Sequence, residues 1–293
     1  MSTAYLRSWL KVFAPITLLS FAAGLQMFGA LLFFKLETNI VLILAYMLIS
    51  FGIYLLNRFT DDEDCINCPE QKLYFQKKAS LLVIPIALIL VSFILLAALS
   101  LLTEWHILLI ICGIIYSVSI VPWLKNKKII FLRLKEIIIL KNISVSLLWG
   151  ITPFAIAASI GTQVQLPIFD LIVVIFAFCL TTLINTTSCD VRDIEGDQLA
   201  GVRTIAAILG RNITGIVLLC LSVAGSIFVA TISYFNYLHI NTILLFYITV
   251  FWTLLVSIPV YLKSIKLPKT ITEPLIDSQQ ILCGLVLIFI SIH

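Results

Sequence analysis

Two acidic stretches hold most of the chemistry this sequence can offer. The first runs Asn57-Arg58-Phe59-Thr60-Asp61-Asp62-Glu63-Asp64, and the second runs Asp190-Val191-Arg192-Asp193-Ile194-Glu195-Gly196-Asp197. If the backbone is helical, Asn57, Asp61 and Asp64 fall at i, i+4 and i+7, and Asp190, Asp193 and Asp197 at i, i+3 and i+7. Each set then shares one face. Both faces offer oxygen donors only. Hard cations such as Mg2+ take a few carboxylates together with phosphate oxygens while keeping several waters, so two such faces suit a diphosphate held through bridging metal. A pair of solvated acidic loops is the plain alternative, and it is the ordinary meaning of one charge run on its own. Other chemistries lack candidates. Cys65-x-x-Cys68 has no second Cys or His pair in its loop to complete a zinc site. Cys112, Cys179, Cys189, Cys220 and Cys283 read as small apolar fillers. None of His106, His239 and His293 is near an acidic stretch.

The elements that must position these residues are membrane helices. Of 293 residues, 61% are hydrophobic and only 12% charged, against about 45–50% and about 25% in an ordinary globular domain. That composition excludes a soluble enzyme. The apolar residues lie in runs close to the roughly 20 residues that cross a bilayer as a helix. Nine spans are expected, near 11–34, 39–56, 79–102, 106–122, 136–160, 167–188, 212–234, 240–262 and 278–293. The first begins too early and runs too long for a cleaved presequence, and is read as a retained helix. The predicted fold is therefore all-α, a polytopic bundle of nine transmembrane helices forming one domain over residues 1–293.

Charge sets the expected orientation. The long connections, 57–78, 123–135, 189–211 and 263–277, alternate with short ones. Placing them on one side with the N-terminus puts every Lys and Arg there except Lys35. By the positive-inside rule that side is the cytoplasm. Both acidic stretches face it, after the second and sixth helices, as if two similar halves shared one site. The chain reads as a multi-pass protein of a prokaryotic cytoplasmic membrane. Its net charge of +4 is small and forms no basic stripe with interleaved aromatics, so no nucleic acid partner is expected.

The run from Asp190 to Gly210, DVRDIEGDQLAGVRTIAAILG, resembles the second aspartate-rich motif of the UbiA superfamily of intramembrane prenyltransferases, including its Gly-Val-Arg-Thr and Leu-Gly. The first stretch resembles that family's Asn-Asp-x-x-Asp-x-x-x-Asp motif through Asn57 and Asp61. Arg58 replaces the first aspartate, and Asp64 matches the last one a residue early, keeping the Asp-x-Ile-Asn-x-Pro continuation to Pro69. The Arg-Pro that usually follows is absent. Span number, loop positions and length agree with the family over nearly the whole chain.

The resemblance implies a bundle around a central cavity open to the cytoplasm and to lipid. Mg2+ on Asn57, Asp61, Asp64, Asp190, Asp193 and Asp197 would hold an isoprenoid diphosphate, with Asp61, Asp193, Asp197 and Arg203 carrying the catalysis. A lipophilic or aromatic acceptor then captures the allylic cation in a site sheltered from water. Arg203 is the first choice of basic partner for the diphosphate, followed by Lys125, Lys135 and Lys141, any of which could instead be a topology charge at the headgroups. Tyr116 and Lys125 resemble a family Tyr-Ser followed by Leu-Lys, with two extra residues between. Arg58 has two readings, an ion pair at a helix end or a forked contact to the diphosphate. Competing functions are a UbiA-type terpene cyclase using the same ionisation, a cation or organic-ion transporter, and a non-catalytic membrane partner. Transporters place ionisable groups near the bilayer midplane, and these spans are almost free of them. The topology is tested by cysteine-accessibility labelling: residues 61–64 and 190–197 should label from the face that carries the N-terminus, and labelling from opposite faces removes a shared site.

Overall fold

A computed structural model of the chain describes residues 3–60, 79–125, 128–161, 167–200, 202–262 and 269–292. Asp61 to Cys68, with Asp61 and Asp64 among them, lie outside the described residues. Nine α-helices are present among the described residues: α1 (Thr3–Phe33), α2 (Ile40–Thr60), α3 (Val83–Ala98), α4 (Glu104–Ser117), α5 (Ile138–Ile160), α6 (Ile168–Ala200), α7 (Ile205–Tyr234), α8 (Ile240–Tyr261) and α9 (Lys269–Ile292). Seven of them contain stretches long and apolar enough to cross a membrane, and the protein is an integral, multi-pass membrane protein. The two others, α3 with 16 residues and α4 with 14, span only about 24 and 21 Å at 1.5 Å per residue. Exposed Val83, Ile94, Ile216, Ile227 and Phe251 show what solvent the outer faces are made for. In hydrocarbon those side chains lose nothing, and the backbone has no choice but to be helical.

Three local differences from the sequence expectation matter. Residues after α4 form a two-stranded antiparallel hairpin, β1 (Val121–Lys125) and β2 (Lys128–Leu132), with Val121 opposite Leu132 and Lys125 opposite Lys128. The segment from 189 to 200, expected as loop, continues α6. With 33 residues α6 is about 50 Å long, so its acidic last third projects beyond a hydrocarbon core of about 30 Å. Finally, α9 starts nine residues before the expected 278, which carries Asp277 into the bundle.

Side-chain caps set several starts. Asn39 Oδ1 accepts from the backbone N–H of Val41 and Leu42 at 3.0 and 3.2 Å and opens α2. Thr204, the threonine of the Val-Arg-Thr run, accepts from the Ala207 N–H at 3.1 Å and opens α7. The core is apolar and mostly helix on helix, centred on Met27, Leu42, Ile49, Phe154 and Phe178. α5 and α6 run antiparallel and come close at Gly150, where a Cβ would fall 2.2 Å from Cys179 Sγ. Ser146 Oγ reinforces the contact by donating to the Cys179 carbonyl at 2.6 Å. Eight residues along each helix from this approach lie Asn142 and Thr187, hydrogen-bonded at 3.0 Å.

α7 is bent at Gly210, whose φ of 77° and ψ of 164° belong to a region open essentially to glycine alone. The bend lets the first turn turn back onto α6: Ala206 packs with Val191, Val260 and Ile276, and Arg211 Nη1 donates to the Val260 carbonyl. Nothing lies within 4 Å of a Cβ built on Gly210, so the requirement is one of backbone and not of space. Gly210→Ala should therefore lose about 1–3 kcal/mol in thermal unfolding of the purified protein. Gly215→Ala, whose Cβ would meet the Tyr261 ring at an ordinary 3.4 Å, should lose nothing. Equal stability of the two variants would remove the bend's importance.

Candidate active site

A cavity of about 270 Å³ is lined by α1, α2, α4, α5, α6 and α9. Its lining changes character along the helices. The C-terminal end of α2 supplies Asn57 and Arg58, the N-terminal end of α5 supplies Lys141 and Asn142, and the acidic end of α6 supplies Asp190, Arg192, Asp193 and Asp197. Asp277 of α9 completes this polar mouth. Further in, the walls are Ile16, Leu19, Ala23, Ile53, Leu109, Val145 and Leu148, with Tyr46, Tyr54 and Trp149 as the aromatic members.

Asp190 is the most tightly held group at the mouth, only 4% exposed. Its Oδ1 accepts from Lys141 Nζ at 2.6 Å and its Oδ2 from Asn142 Nδ2 at 2.9 Å. Asn142 also donates to Thr187, and its own Oδ1 is buried with no hydrogen-bond partner among the described residues. That leaves a carbonyl oxygen on the cavity lining, ready for water or for a donor on a ligand. Asp193 is gripped by Arg192 through Nε at 3.0 Å and Nη2 at 2.5 Å. Lys135 follows the hairpin in a short 3₁₀ turn, Leu134–Glu136, and donates from Nζ to Asn57 Oδ1 at 3.1 Å. The neighbouring Arg133 donates to the Thr60 carbonyl at 2.7 Å and pairs with Glu136. A cation at the last carbonyls of α2 complements the negative end of that helix, so the hairpin's exit is fastened beside the first acidic motif.

The match to the family model named UbiA prenyltransferase family extends over residues 13–271. This chain belongs to the UbiA prenyltransferase family. Solved structures of UbiA homologs share its fold. One from Archaeoglobus fulgidus bound to DMAPP and Mg2+ superposes with a TM-score of 0.65 at 19% identity, covering 96% of this chain and 99% of that one. A UbiA homolog from Archaeoglobus fulgidus bound to GPP and Mg2+ gives 0.64 at 18%, with 96% and 99% covered. The apo homolog from Aeropyrum pernix K1 gives 0.59 at 18%, with 95% and 98% covered. Comparison with curated protein sequences finds no match.

Eight of the residues singled out in the sequence line this one UbiA-fold cavity: Asn57, Arg58, Tyr116, Lys135, Lys141, Asp190, Asp193 and Asp197. Arg203 is exposed on the link between α6 and α7 and is not among the lining residues. Lys125 ends β1, opposite Lys128. Asn142, Arg192 and Asp277 were missed, although Arg192 sits inside the second motif and Asn142 beside Lys141. Among the described residues no three His, Cys, Asp or Glu side chains converge as a ready-made metal site. The donor set still fits Mg2+, which is bound through one or two carboxylates with substrate phosphates and waters completing its octahedron.

Removing one partner of a buried charge pair leaves the other uncompensated. Asp190→Ala, stranding Lys141, should cost about 3 kcal/mol in thermal unfolding. The apolar double variant Lys141→Met with Asp190→Leu should recover most of that loss. A double variant as unstable as the single would show that the pair does not hold α5 to α6.

Proposed function

We propose that the protein transfers a prenyl group from an isoprenoid diphosphate to a lipophilic or aromatic acceptor, in a Mg2+-dependent reaction at the cytoplasmic face of the membrane. The observation that carries this reading is the grading of one cavity from a charged mouth to an apolar interior. A prenyl diphosphate has the same grading. Asn57, Asp61, Asp64, Asp190, Asp193 and Asp197 are assigned the metal, with Asp190 also fixing Lys141. When bound, Mg2+ neutralises the diphosphate and stabilises the charge it gains on leaving.

Lys135 and Lys141 are assigned to the diphosphate oxygens, with Tyr116 as a hydroxyl donor at the cavity edge. Both lysines are already aimed at the mouth by Asn57 and Asp190, so little reorganisation accompanies binding. Arg203, exposed on the link after α6, serves by attracting the anionic headgroup to the mouth through its field. The aromatic walls, Tyr46, Tyr54 and Trp149, suit the allylic chain and the cation that forms from it, since aromatic faces attract positive charge. Trp149 Nε1 donates to Tyr54 OH at 2.9 Å, which fixes the two rings relative to each other. The apolar interior keeps water from the cation.

The test is product analysis with purified protein, labelled prenyl diphosphates and Mg2+. Diphosphate release that requires an added acceptor, with label in the acceptor, supports the transferase. Acceptor-independent release with a cyclic hydrocarbon product makes the protein a cyclase instead. Asp61→Ala, Asp193→Ala and Asp197→Ala should each abolish turnover even at excess Mg2+, and near-normal turnover in Asp193→Ala or Asp197→Ala would unseat the assignment. Arg58 stands where the family motif has aspartate, and its forked donors match phosphate oxygens. Arg58→Ala should weaken diphosphate binding about tenfold or more, the loss of one charge-assisted contact, and Arg58→Asp should regain activity only with a higher Mg2+ requirement. Unchanged binding in Arg58→Ala would return this residue to a structural ion pair.

A further inference from the structure

The β1–β2 hairpin has an apolar face that no helix covers. Residues directly opposite one another in an antiparallel pair share a face, so Pro122 with Phe131 and Leu124 with Ile129 form one side of the ribbon. All four are exposed, Leu124 at 72%, Ile129 at 70% and Phe131 at 61%. Neither strand packs extensively against a helix among the described residues. A two-stranded hairpin standing alone in water is marginal at best, and gains stability when its apolar face is packed on something.

Its level in the membrane is fixed from both ends. α4 is about 21 Å long, so with Glu104 at one boundary of a hydrocarbon core of about 30 Å, Ser117 lies about 9 Å short of the other. Residues 118–120 then bring the chain to that boundary, where β1 begins. On leaving β2 the chain reaches Arg133 and Lys135, which are bound to the Thr60 carbonyl and to Asn57 at the last turn of α2, the polar mouth of the cavity. The ribbon therefore lies where hydrocarbon gives way to headgroups. Exposed apolar side chains lead up to it on both flanking helices, Ile111 and Ile114 of α4 and Ile139 and Ile143 of α5. How deep it sits is limited by its backbone: a two-stranded ribbon has unpaired N–H and C=O groups along both edges, and hydrocarbon cannot satisfy them. It stays among the headgroups, with one face turned to the acyl chains.

We infer that the hairpin is an interfacial anchor: it lays Pro122, Leu124, Ile129 and Phe131 on the acyl chains of the leaflet at the cavity mouth, and turns its basic end, where Lys125 is opposite Lys128, to anionic lipid headgroups. Charge supports the choice of lipid. Between Glu104 and Glu136 the chain has no Asp or Glu, while it has Lys125, Lys127, Lys128, Arg133 and Lys135, and basic groups at a membrane surface are drawn to anionic lipid. The side of the ribbon away from the acyl chains carries exposed Trp123, a residue suited to the headgroup level. Because the strand exit is fastened to α2, an anchored hairpin ties the rim of the mouth to the bilayer. The inference goes beyond the prenyl diphosphate reading and does not depend on it.

The test places the photo-crosslinking residue p-benzoylphenylalanine singly at positions 124, 129 and 131 of the full chain, in nanodiscs of phosphatidylcholine with a minor fraction of phosphatidylglycerol, and identifies the adducts by mass spectrometry. All three positions should capture lipid with a yield like that of the same probe at position 216, an exposed isoleucine on α7. Phosphatidylglycerol should be enriched among the hairpin adducts by about threefold or more over its share of the bilayer, with no such enrichment at position 216. Lys125→Gln combined with Lys128→Gln should bring the hairpin adducts back to that share. Failure to capture lipid at the hairpin while position 216 captures it would show the face in water, and capture of another protein segment would show it covered by protein; either result overturns the inference. Lipid capture without enrichment, or enrichment that survives the double glutamine variant, would overturn the assignment of the basic end to anionic headgroups.

Discussion

The site depends on a carboxylate that cannot stand alone. Asp190 is buried at the edge of a membrane-embedded bundle, where an unpaired charge is prohibitive, and it is satisfied by two neighbours from one other helix, Lys141 and Asn142. Those two are within reach because α5 and α6 approach closely at Gly150 and Cys179. An antiparallel pair keeps its register, so a contact set deep in the bundle is repeated two turns later at the mouth. A glycine in the apolar interior thus determines where a lysine ammonium sits at the polar end. The same logic reaches α2, where Lys135 fixes Asn57 and Arg133 holds the final carbonyls.

Hydrocarbon then decides where polarity can go. Among the described residues, the charged residues that line the cavity belong to helix ends or their links: Arg58 at the end of α2, Lys135 and Glu136 before α5, Lys141 in its first turn, the acidic end of α6, and Asp277 early in α9. A helix longer than the bilayer can put side chains beyond the hydrocarbon and still keep their spacing rigid. This is how α6 presents Asp190, Asp193 and Asp197 on one face at intervals a loop could not hold. The bend at Gly210 completes the arrangement by returning α7 onto that projecting segment.

Much of this was legible in the sequence. Nine apolar runs gave nine helices among the described residues, and carboxylates at helical spacing marked the α6 end before its helix was seen. What misled was the use of hydropathy to end spans. Charge stops a membrane crossing, but it does not stop a helix, so Asp190–Asp197 continues α6 and α9 begins early enough to include Asp277. The hairpin was hidden for another reason: Val-Pro-Trp-Leu and Ile-Ile-Phe-Leu are short apolar runs whose periodicity does not separate strand from helix. Asn142 carries no charge, and no motif points to it; only packing shows that it satisfies Asp190.

The charges on the mouth also explain why a divalent cation belongs to the reading. Among the described lining residues, Arg58, Lys135, Lys141 and Arg192 face Glu136, Asp190, Asp193, Asp197 and Asp277, four cations against five carboxylates. At least two of the cations are already committed to aspartates, Lys141 to Asp190 and Arg192 to Asp193. A diphosphate entering such a mouth meets a slight excess of its own sign, and in surroundings of low dielectric that repulsion is not screened as it is in water. Basic residues alone do not reverse it without abandoning the aspartates they hold. A small, hard dication does, since it adds charge without displacing a side chain and accepts phosphate and carboxylate oxygens together. On the proposed prenyl diphosphate reading, the aspartates that would repel the substrate become the groups that hold it through the metal, and Lys135 and Lys141, already positioned, supply the remaining hydrogen bonds.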